Sequence, residues 1–235
     1  MMPLKLLAVF AHPDDEAFAA GGTLAKCAAS GIEVVIVSAT RGEAGIEAVP
    51  PAQAGVIREM ELRRAALALG ASGVRFLGYL DGTLPDADAD EAIDRLITLL
   101  RELRPEVLIT FGPDGISGHP DHVAIRRWVT AAFDALDEPE APQRLYTIAP
   151  SLATEQGCGV SNAPPLPAEA VGVDVSAHRL AKMRAMQAHV SQEPPYKGDP
   201  VREALQLECH EWFVLARSRM PSGNRQAGDL FAGLR

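Results

Sequence analysis

A short apolar run, LKLLAVF at residues 4–10, is followed at once by the polar stretch AHPDDE at residues 11–16. A run of this length without polar interruptions is typical of a parallel strand that is buried on both faces. Three similar runs follow, and they alternate with segments of helical periodicity that end near glycine or proline. The predicted strands span residues 4–10, 33–39, 74–80 and 107–111, and the predicted helices span residues 17–30, 56–69 and 90–103. This order predicts an α/β fold with a mostly parallel, Rossmann-like sheet and helices on both faces.

The second half of the chain carries weaker signals. Residues 150–169 are rich in proline and are predicted to form a long loop. Residues 221–235 lack strong signals and are predicted to be a partly mobile tail. The remaining predictions are helices over residues 123–136 and 178–189 and short strands over residues 145–148, 171–175 and 212–216. With no repeat and no linker in view, residues 1–235 are predicted to be a single domain.

Composition narrows the class of protein. The 235 residues are 47% hydrophobic and 23% charged, which is ordinary for a globular protein and excludes wholesale disorder. The net charge of −9 argues against nucleic acid and anionic membrane surfaces as partners. No early apolar run is long enough for an export signal or a membrane span. The three cysteines lie far apart without a CxxC pair, so reduced thiols and a cytoplasmic location are expected.

Two polar motifs fall where a parallel sheet binds its ligands, outside the carboxyl ends of the strands. AHPDDE follows the first predicted strand, and GHPDH at residues 118–122 follows the fourth. Together they hold three of the six histidines, and histidine with carboxylate suits zinc or ferrous iron. Their ligands would be His12, one of Asp14 and Asp15, and one of His119 and His122, which leaves groups free for metal-assisted hydrolysis. The alternative is a solvated acidic helix start that Asp14 or Asp15 caps.

AHPDDE, TRGE at residues 40–43 and GHPDH, in this order, closely resemble the motifs of the PIG-L/LmbE-like zinc-dependent N-deacetylases. The segments RxxEL at residues 58–62, LGYLDG at residues 77–82 and AHVSQ at residues 188–192 are also similar to that family. The resemblance implies a single LmbE-like α/β deacetylase domain that removes acetyl from an N-acetylglucosamine-type sugar or conjugate. It also allows a homo-oligomer, since related enzymes often assemble.

The resemblance further implies a role for the residues of the first motif. His12, Asp15 and His122 would bind the metal at the carboxyl ends of the strands, with Zn²⁺ expected and Fe²⁺ as the alternative. Asp14 would be the general base that takes a proton from the attacking water and passes it to the leaving amine. A modest base suffices because a bound metal lowers the pKa of water from 15.7 toward about 7.

The other implied roles concern the oxyanion and the substrate. His119, as an imidazolium, would stabilise the tetrahedral oxyanion, and Asp121 would orient His119 and keep it protonated. Arg41 and Asp81 would contact polar groups of the substrate, with a loop-stabilising ion pair or cap as the alternative. Ser117 departs from the family pattern, because some members carry a tyrosine at this position that helps to bind substrate or the oxyanion.

Two other functions remain open at this point. A metal phosphoesterase would bind two metals about 3.5–4 Å apart through more carboxylates. A non-catalytic sugar-binding protein would bind an amino-sugar tightly without turning it over. The other histidines, His178, His189 and His210, are expected to be structural or on the surface, and His189 is the strongest exception because of the family-like segment around it.

Overall fold

The computed structural model describes residues 3–137, 139–149, 166–194, 196–220 and 228–234. Within these ranges the strands are β1 (Lys5–Phe10), β2 (Glu33–Thr40), β3 (Gly73–Tyr79), β4 (Val107–Thr110), β5 (Arg144–Ile148), β6 (Val171–Asp174) and β7 (His210–Ser218). The α-helices are α1 (Asp15–Ala29), α2 (Pro51–Leu69), α3 (Ala89–Leu103), α4 (Pro120–Ala135), α5 (Arg179–Ala188) and α6 (Pro200–Ala204). Short 3₁₀ turns span Leu84–Asp86, Ser176–His178 and Val190–Gln192.

The seven strands form one sheet in the order β3-β2-β1-β4-β5-β7-β6. The first five are parallel, and β7 runs antiparallel between β5 and β6. The predicted α/β class with a mostly parallel sheet is confirmed. The strand order reverses direction between β1 and β4, so right-handed crossovers send their helices to opposite faces. Such a reversal opens a crevice at the carboxyl ends of the two strands, and this is where open α/β sheets bind ligands.

The core follows from the apolar runs. β1 and β2 are buried along nearly their whole length, because helices cover both faces of the central sheet. α3 is amphipathic and buries Ala92, Leu96 and Leu100 on one face, as the helical repeat requires. Its first turn is capped by Asp88, whose side chain accepts hydrogen bonds from the backbone amides two and three residues further on.

Some boundaries differ from the predictions. α2 begins at Pro51 rather than residue 56, and α4 begins at Pro120 rather than residue 123. Proline is favoured at the first helical position because its missing N–H would have no partner there. α6 was not predicted, since it is only five residues long.

The two segments with weak signals are described in part. Of the proline-rich stretch, residues 150–165 lie outside the described residues, as does Cys158. Residues 221–227 and 235 of the predicted tail lie outside them as well. Residues 228–234 differ from the expectation of a mobile tail, because Leu230 and Phe231 are buried in the core. Arg144 anchors them by donating a hydrogen bond of 2.9 Å to the carbonyl of Leu230. In the part of the chain that the structure describes, no helix is both long and apolar enough to cross a bilayer.

Candidate metal and catalytic site

The two polar motifs meet at the crevice between β1 and β4. The loop after β1 brings the ring of His12 to within 5.0 Å of the ring of His119 and 5.2 Å of the ring of His122, measured between centroids. His119 and His122 come from the start of α4, which follows β4. The parallel register of β1 and β4 therefore juxtaposes residues that are more than a hundred positions apart in sequence.

Three side chains converge with a spacing that suits a metal ion. His122 Nε2 lies 3.3 Å from His12 Nδ1 and 3.4 Å from Asp15 Oδ1, and His12 Nδ1 lies 3.7 Å from Asp15 Oδ2. Tetrahedral zinc with bonds of 2.0–2.1 Å would hold its ligand atoms about 3.3–3.4 Å apart. The residues present therefore fit a divalent ion with two imidazole ligands and one carboxylate ligand. A ring nitrogen of His119 also lies within 4.8 Å of those of His12 and His122.

The far side of the His12 ring is held by carboxylates. Its Nε2 lies 3.0 Å from Asp121 Oδ2 and 3.1 Å from Asp81 Oδ1. Asp121 is fixed in turn by the amides of Gly82 and Leu84, which donate at 2.8 and 3.2 Å. Burial lowers the pKa of His12, but the hydrogen bonds to Asp121 and Asp81 outweigh it and raise the pKa to about 10. A carboxylate behind an imidazole ligand fixes the tautomer and leaves Nδ1 directed at the metal position.

The His122 ring is oriented by its own loop. Its Nδ1 lies 3.0 Å from the carbonyl oxygen of Gly115, so Nδ1 carries the proton and Nε2 faces His12 and Asp15. The ring also stacks on Phe111 with 4.0 Å between centroids and 6° between planes. Gly115 has a φ of 68°, and a Cβ there would lie 2.8 Å from the Cβ of His122. Only glycine permits this close approach without strain.

Asp14, the residue before Asp15, has an unusual backbone conformation. Its φ is 115°, in a region that non-glycine residues rarely occupy. Its carboxylate accepts a hydrogen bond of 3.1 Å from Arg58. Burial and the negative charge of Asp15 raise the pKa of Asp14 to about 7, although Arg58 opposes the shift. A carboxylate with a pKa near neutrality is matched to general base catalysis.

His119 is exposed and differs from its expected protonation state. Its Nδ1 accepts a hydrogen bond of 3.2 Å from the backbone amide of Asp121, so the proton of the neutral ring lies on Nε2. Partial loss of water on the side of the ring that faces the site, together with the nearby His12 and His122, lowers the pKa of His119. The carboxylate of Asp121 is fully buried in the first turn of α4 and binds His12 instead of orienting His119. His119 is therefore arranged as a neutral Nε2–H donor.

The two predicted substrate residues have different surroundings. Arg41 donates to Glu59 at 2.8 Å, and its guanidinium lies 5.1 Å from the centre of the Phe76 ring. This matches the alternative of a loop-stabilising ion pair, because the side chain turns toward α2. Asp81 lies in the site, where it contacts His12 and also accepts a hydrogen bond of 3.1 Å from the amide of Ala44.

Arg58 is a site residue to which the sequence analysis assigned no role. It is buried on α2 and donates to the carbonyl oxygens of Pro13 at 2.6 Å and Gly42 at 3.3 Å. It also lies 3.6 Å from Asp81. The guanidinium therefore links the loops after β1, β2 and β3 around Asp14. A signal was present in RxxEL at residues 58–62, where a charged residue recurs on the buried face of the helix.

Fold and site together define an α/β protein with a candidate mononuclear metal centre. The chain belongs to the PIG-L family, because the model of the GlcNAc-PI de-N-acetylases matches residues 7–133. It is 34% identical to the 1D-myo-inositol 2-acetamido-2-deoxy-alpha-D-glucopyranoside deacetylase of Streptomyces griseus, an alignment that covers 98% of this chain and 89% of the relative. The predicted family is confirmed.

Solved structures agree on the fold. The conserved protein TT1542 from Thermus thermophilus is similar with a TM-score of 0.70 and 30% identity, covering 95% of this chain and 100% of that one. The 4-carboxy-2-hydroxymuconate hydratase GalB of Pseudomonas putida is similar with a TM-score of 0.67 and 21% identity, covering 95% and 99%. Since a hydratase has this fold, the reaction must be argued from the site rather than from the fold.

Proposed function

We propose that this chain is a metal-dependent N-deacetylase that hydrolyses the acetamide of an N-acetylglucosamine-type sugar conjugate. One observation carries the proposal: the side chains of His12, Asp15 and His122 bring their nitrogen and oxygen atoms within 3.3–3.7 Å of one another, a spacing that suits one divalent ion. Asp14, the residue before Asp15, has a pKa of about 7. The Streptomyces griseus relative is named as a deacetylase of an N-acetylglucosaminyl-inositol, and this supports a conjugate of this class. Zn²⁺ is the proposed ion and Fe²⁺ the alternative, since both accept two histidines and one carboxylate.

The residues divide the work of an amide hydrolysis. When bound, the ion lowers the pKa of a water molecule and polarises the acetamide carbonyl. Asp14 takes a proton from the attacking water as the new C–O bond forms. The same carboxyl then protonates the amine as the C–N bond breaks, which leaves acetate and a free amino-sugar.

Two further residues support the reaction, one by binding the oxyanion and one by holding the general base. His119 donates a hydrogen bond from Nε2 to the developing oxyanion, a contribution that is typically about 10²–10³ in rate. Arg58 holds the carboxylate of Asp14 in place through its bond of 3.1 Å. Ser117 is half-buried on the loop before α4, at the position of the family tyrosine, so the imidazole of His119 is the donor that this proposal assigns to the oxyanion.

The test combines metal analysis with amine release. The purified protein is assayed against N-acetylglucosamine, an N-acetylglucosaminyl-inositol and 4-nitrophenyl phosphate, before and after chelation. We expect one metal ion per chain and amine release that chelation abolishes and Zn²⁺ or Fe²⁺ restores. His122→Ala should lose the metal. Two ions per chain with phosphate release would instead indicate a phosphoesterase, and tight sugar binding without amine release would indicate a binding protein.

The proposal also covers the substrate residues, the location and the oligomeric state of the enzyme. No role in the reaction is proposed for Arg41. Asp81 is proposed to bind substrate in addition to its contact with His12. A cytoplasmic location rests on the separated cysteines, and a homo-oligomer rests on the family resemblance. Light scattering of the purified chain measures the assembly directly.

A further inference from the structure

His189 and Glu16 form a buried pair that the proposed reaction does not use. His189 follows α5 and is 0% exposed, and Glu16 lies in the first turn of α1 and is 1% exposed. The distance from His189 Nε2 to Glu16 Oε1 is 2.9 Å. Burying two ionisable groups is costly, and even a hydrogen-bonded pair adds little to stability. A role other than stability is therefore worth considering for this pair.

The second oxygen of Glu16 reaches the strained part of the active site. Glu16 Oε2 accepts a hydrogen bond of 3.1 Å from the backbone amide of Asp14. Asp14 is the residue with a φ of 115°, a conformation that costs on the order of 1–3 kcal/mol and persists only where its surroundings enforce it. The Glu16 carboxylate is therefore one of the groups that hold this backbone.

The segment that carries His189 is itself locked in place. The amide and hydroxyl of Ser191 donate to Glu61 of α2 at 2.8 and 2.7 Å. Gln192 donates to the carbonyl of Gly45, on the loop after β2, at 3.1 Å. A ring mounted on such a segment has little freedom, so it can fix the Glu16 carboxylate that it touches.

One ring nitrogen of His189 lacks a hydrogen bond among the described residues. Its Nδ1 is buried and has no hydrogen-bond partner among the residues that the structure describes. A buried polar atom without a partner costs about 1–3 kcal/mol, which a residue kept only for packing would avoid. Nε2, in contrast, is hydrogen-bonded to Glu16. His189 therefore lowers stability through Nδ1, and the contact that it makes in return is the one with Glu16.

We propose that His189 is a positioning residue, which acts through Glu16 to hold the backbone of Asp14 in the conformation that directs its carboxylate at the reacting water. The inference rests on the proposed function, because it assigns a purpose to the geometry of the proposed base. His189 is fully buried and is not one of the proposed metal ligands. The relay runs from His189 Nε2 through the Glu16 carboxylate to the Asp14 amide.

The variants separate this role from simple packing. His189→Leu removes the donor to Glu16, whereas His189→Gln keeps an N–H donor at nearly the same distance from the backbone. If the leucine variant does not fold, His189→Asn serves instead, because its amide is too short to reach Glu16. Ser191→Ala is the matched control: it removes only the hydroxyl bond to Glu61. The backbone amide of residue 191 still donates to Glu61 and Gln192 still donates to Gly45, so the segment stays held and the contact of His189 with Glu16 is untouched.

Steady-state kinetics give the first readout. For His189→Leu or His189→Asn we expect kcat to fall about 10- to 100-fold, as misplacement of a catalytic group does, with KM and metal content nearly unchanged. His189→Gln should recover most of the loss, and Ser191→Ala should keep kcat within about twofold of the wild type. A kcat that is unchanged in both donor-free variants, or an equal loss in Ser191→Ala, overturns the proposal.

Hydrogen–deuterium exchange gives a readout that does not depend on activity. The peptide that covers residues 11–18 should exchange faster in His189→Leu or His189→Asn than in the wild type, at full metal loading, while His189→Gln and Ser191→Ala leave it unchanged. Unchanged exchange in the donor-free variants contradicts the relay. If the wild type releases no amine but the exchange pattern appears as expected, the proposed function fails and the positioning of the Asp14 backbone stands.

Discussion

At the scale of single residues, Asp14 should govern turnover and its pH dependence. Asp14→Asn removes the base but none of the three ligand atoms, so we expect kcat to fall about 10²–10⁴-fold with metal content retained. The base must be ionised to act, so kcat/KM should fall as the pH drops. The pKa of Asp14 is about 7 without an ion, and a nearby cation lowers it, so the midpoint should lie at or below 7. Full activity in Asp14→Asn would contradict the role of this carboxylate.

Asp121 was expected to orient His119 but binds His12, so its substitution should affect metal binding. Its carboxylate binds His12, so Asp121→Asn should weaken metal binding about 10- to 100-fold, as the loss of a carboxylate behind a histidine ligand usually does. Asparagine keeps only one of the two oxygens that accept from Gly82 and Leu84, so one of these amides loses its acceptor. Circular dichroism is therefore measured alongside to show that the variant folds. Competition with a chromophoric chelator measures the dissociation constant. If Asp121 served His119 alone, metal affinity would stay unchanged and only kcat would fall.

At the scale of elements, α1 depends on a close approach that only glycine allows. A Cβ on Gly22 would lie 2.7 Å from the Cβ of Val175, a stiff β-branched side chain. A Cβ on the neighbouring Gly21 would meet Cγ of Lys182 at 3.1 Å, which is a looser contact. We expect Gly22→Ala to destabilise the protein by about 1–3 kcal/mol, which lowers Tm by about 2–4 °C per kcal/mol in a chain of this size.

Gly21→Ala is the matched control for that prediction. It lies on the same helix and adds the same methyl group, and alanine favours the helix over glycine by roughly 0.5–1 kcal/mol. Its Tm should therefore stay well above that of Gly22→Ala in a thermal melt followed by circular dichroism. Equal Tm values for the two variants would show that the contact with Val175 does not limit α1.

The elements also show what could be predicted from the sequence. β1 and β4 were predictable because buried parallel strands are short apolar runs, and parallel pairing then places His12 and His122 side by side. The insertion of β7 between β5 and β6 was not predictable, since antiparallel pairing over this separation leaves no local pattern. The contact of His189 with Glu16 joins residues 173 positions apart, and only packing of α5 against α1 reveals it.

At the scale of the whole molecule, a metal ion would join the two halves of the parallel sheet. His12 and Asp15 follow β1, and His122 follows β4, so an ion at this position would link segments on both sides of the crevice. An ion that binds the folded chain alone stabilises it by about 2.7 kcal/mol at a hundredfold excess over Kd. Chelation should therefore lower Tm by about 5–11 °C. His122→Ala should show a low Tm that added Zn²⁺ does not raise.

The metal ion must displace a proton from His12, so metal affinity should rise with pH. Without an ion, the Asp121 and Asp81 carboxylates outweigh the effect of burial and raise the pKa of His12 to about 10, so its Nδ1 is protonated at neutral pH. A metal needs the Nδ1 lone pair, so binding at pH 7 should release about one proton. Zn²⁺ affinity should then rise about tenfold per pH unit between pH 6 and 8, as proton occupancy opposes binding. Calorimetric titrations in buffers of different ionisation enthalpy measure the released proton, and Asp121→Asn should release less, because its His12 would already be closer to neutral.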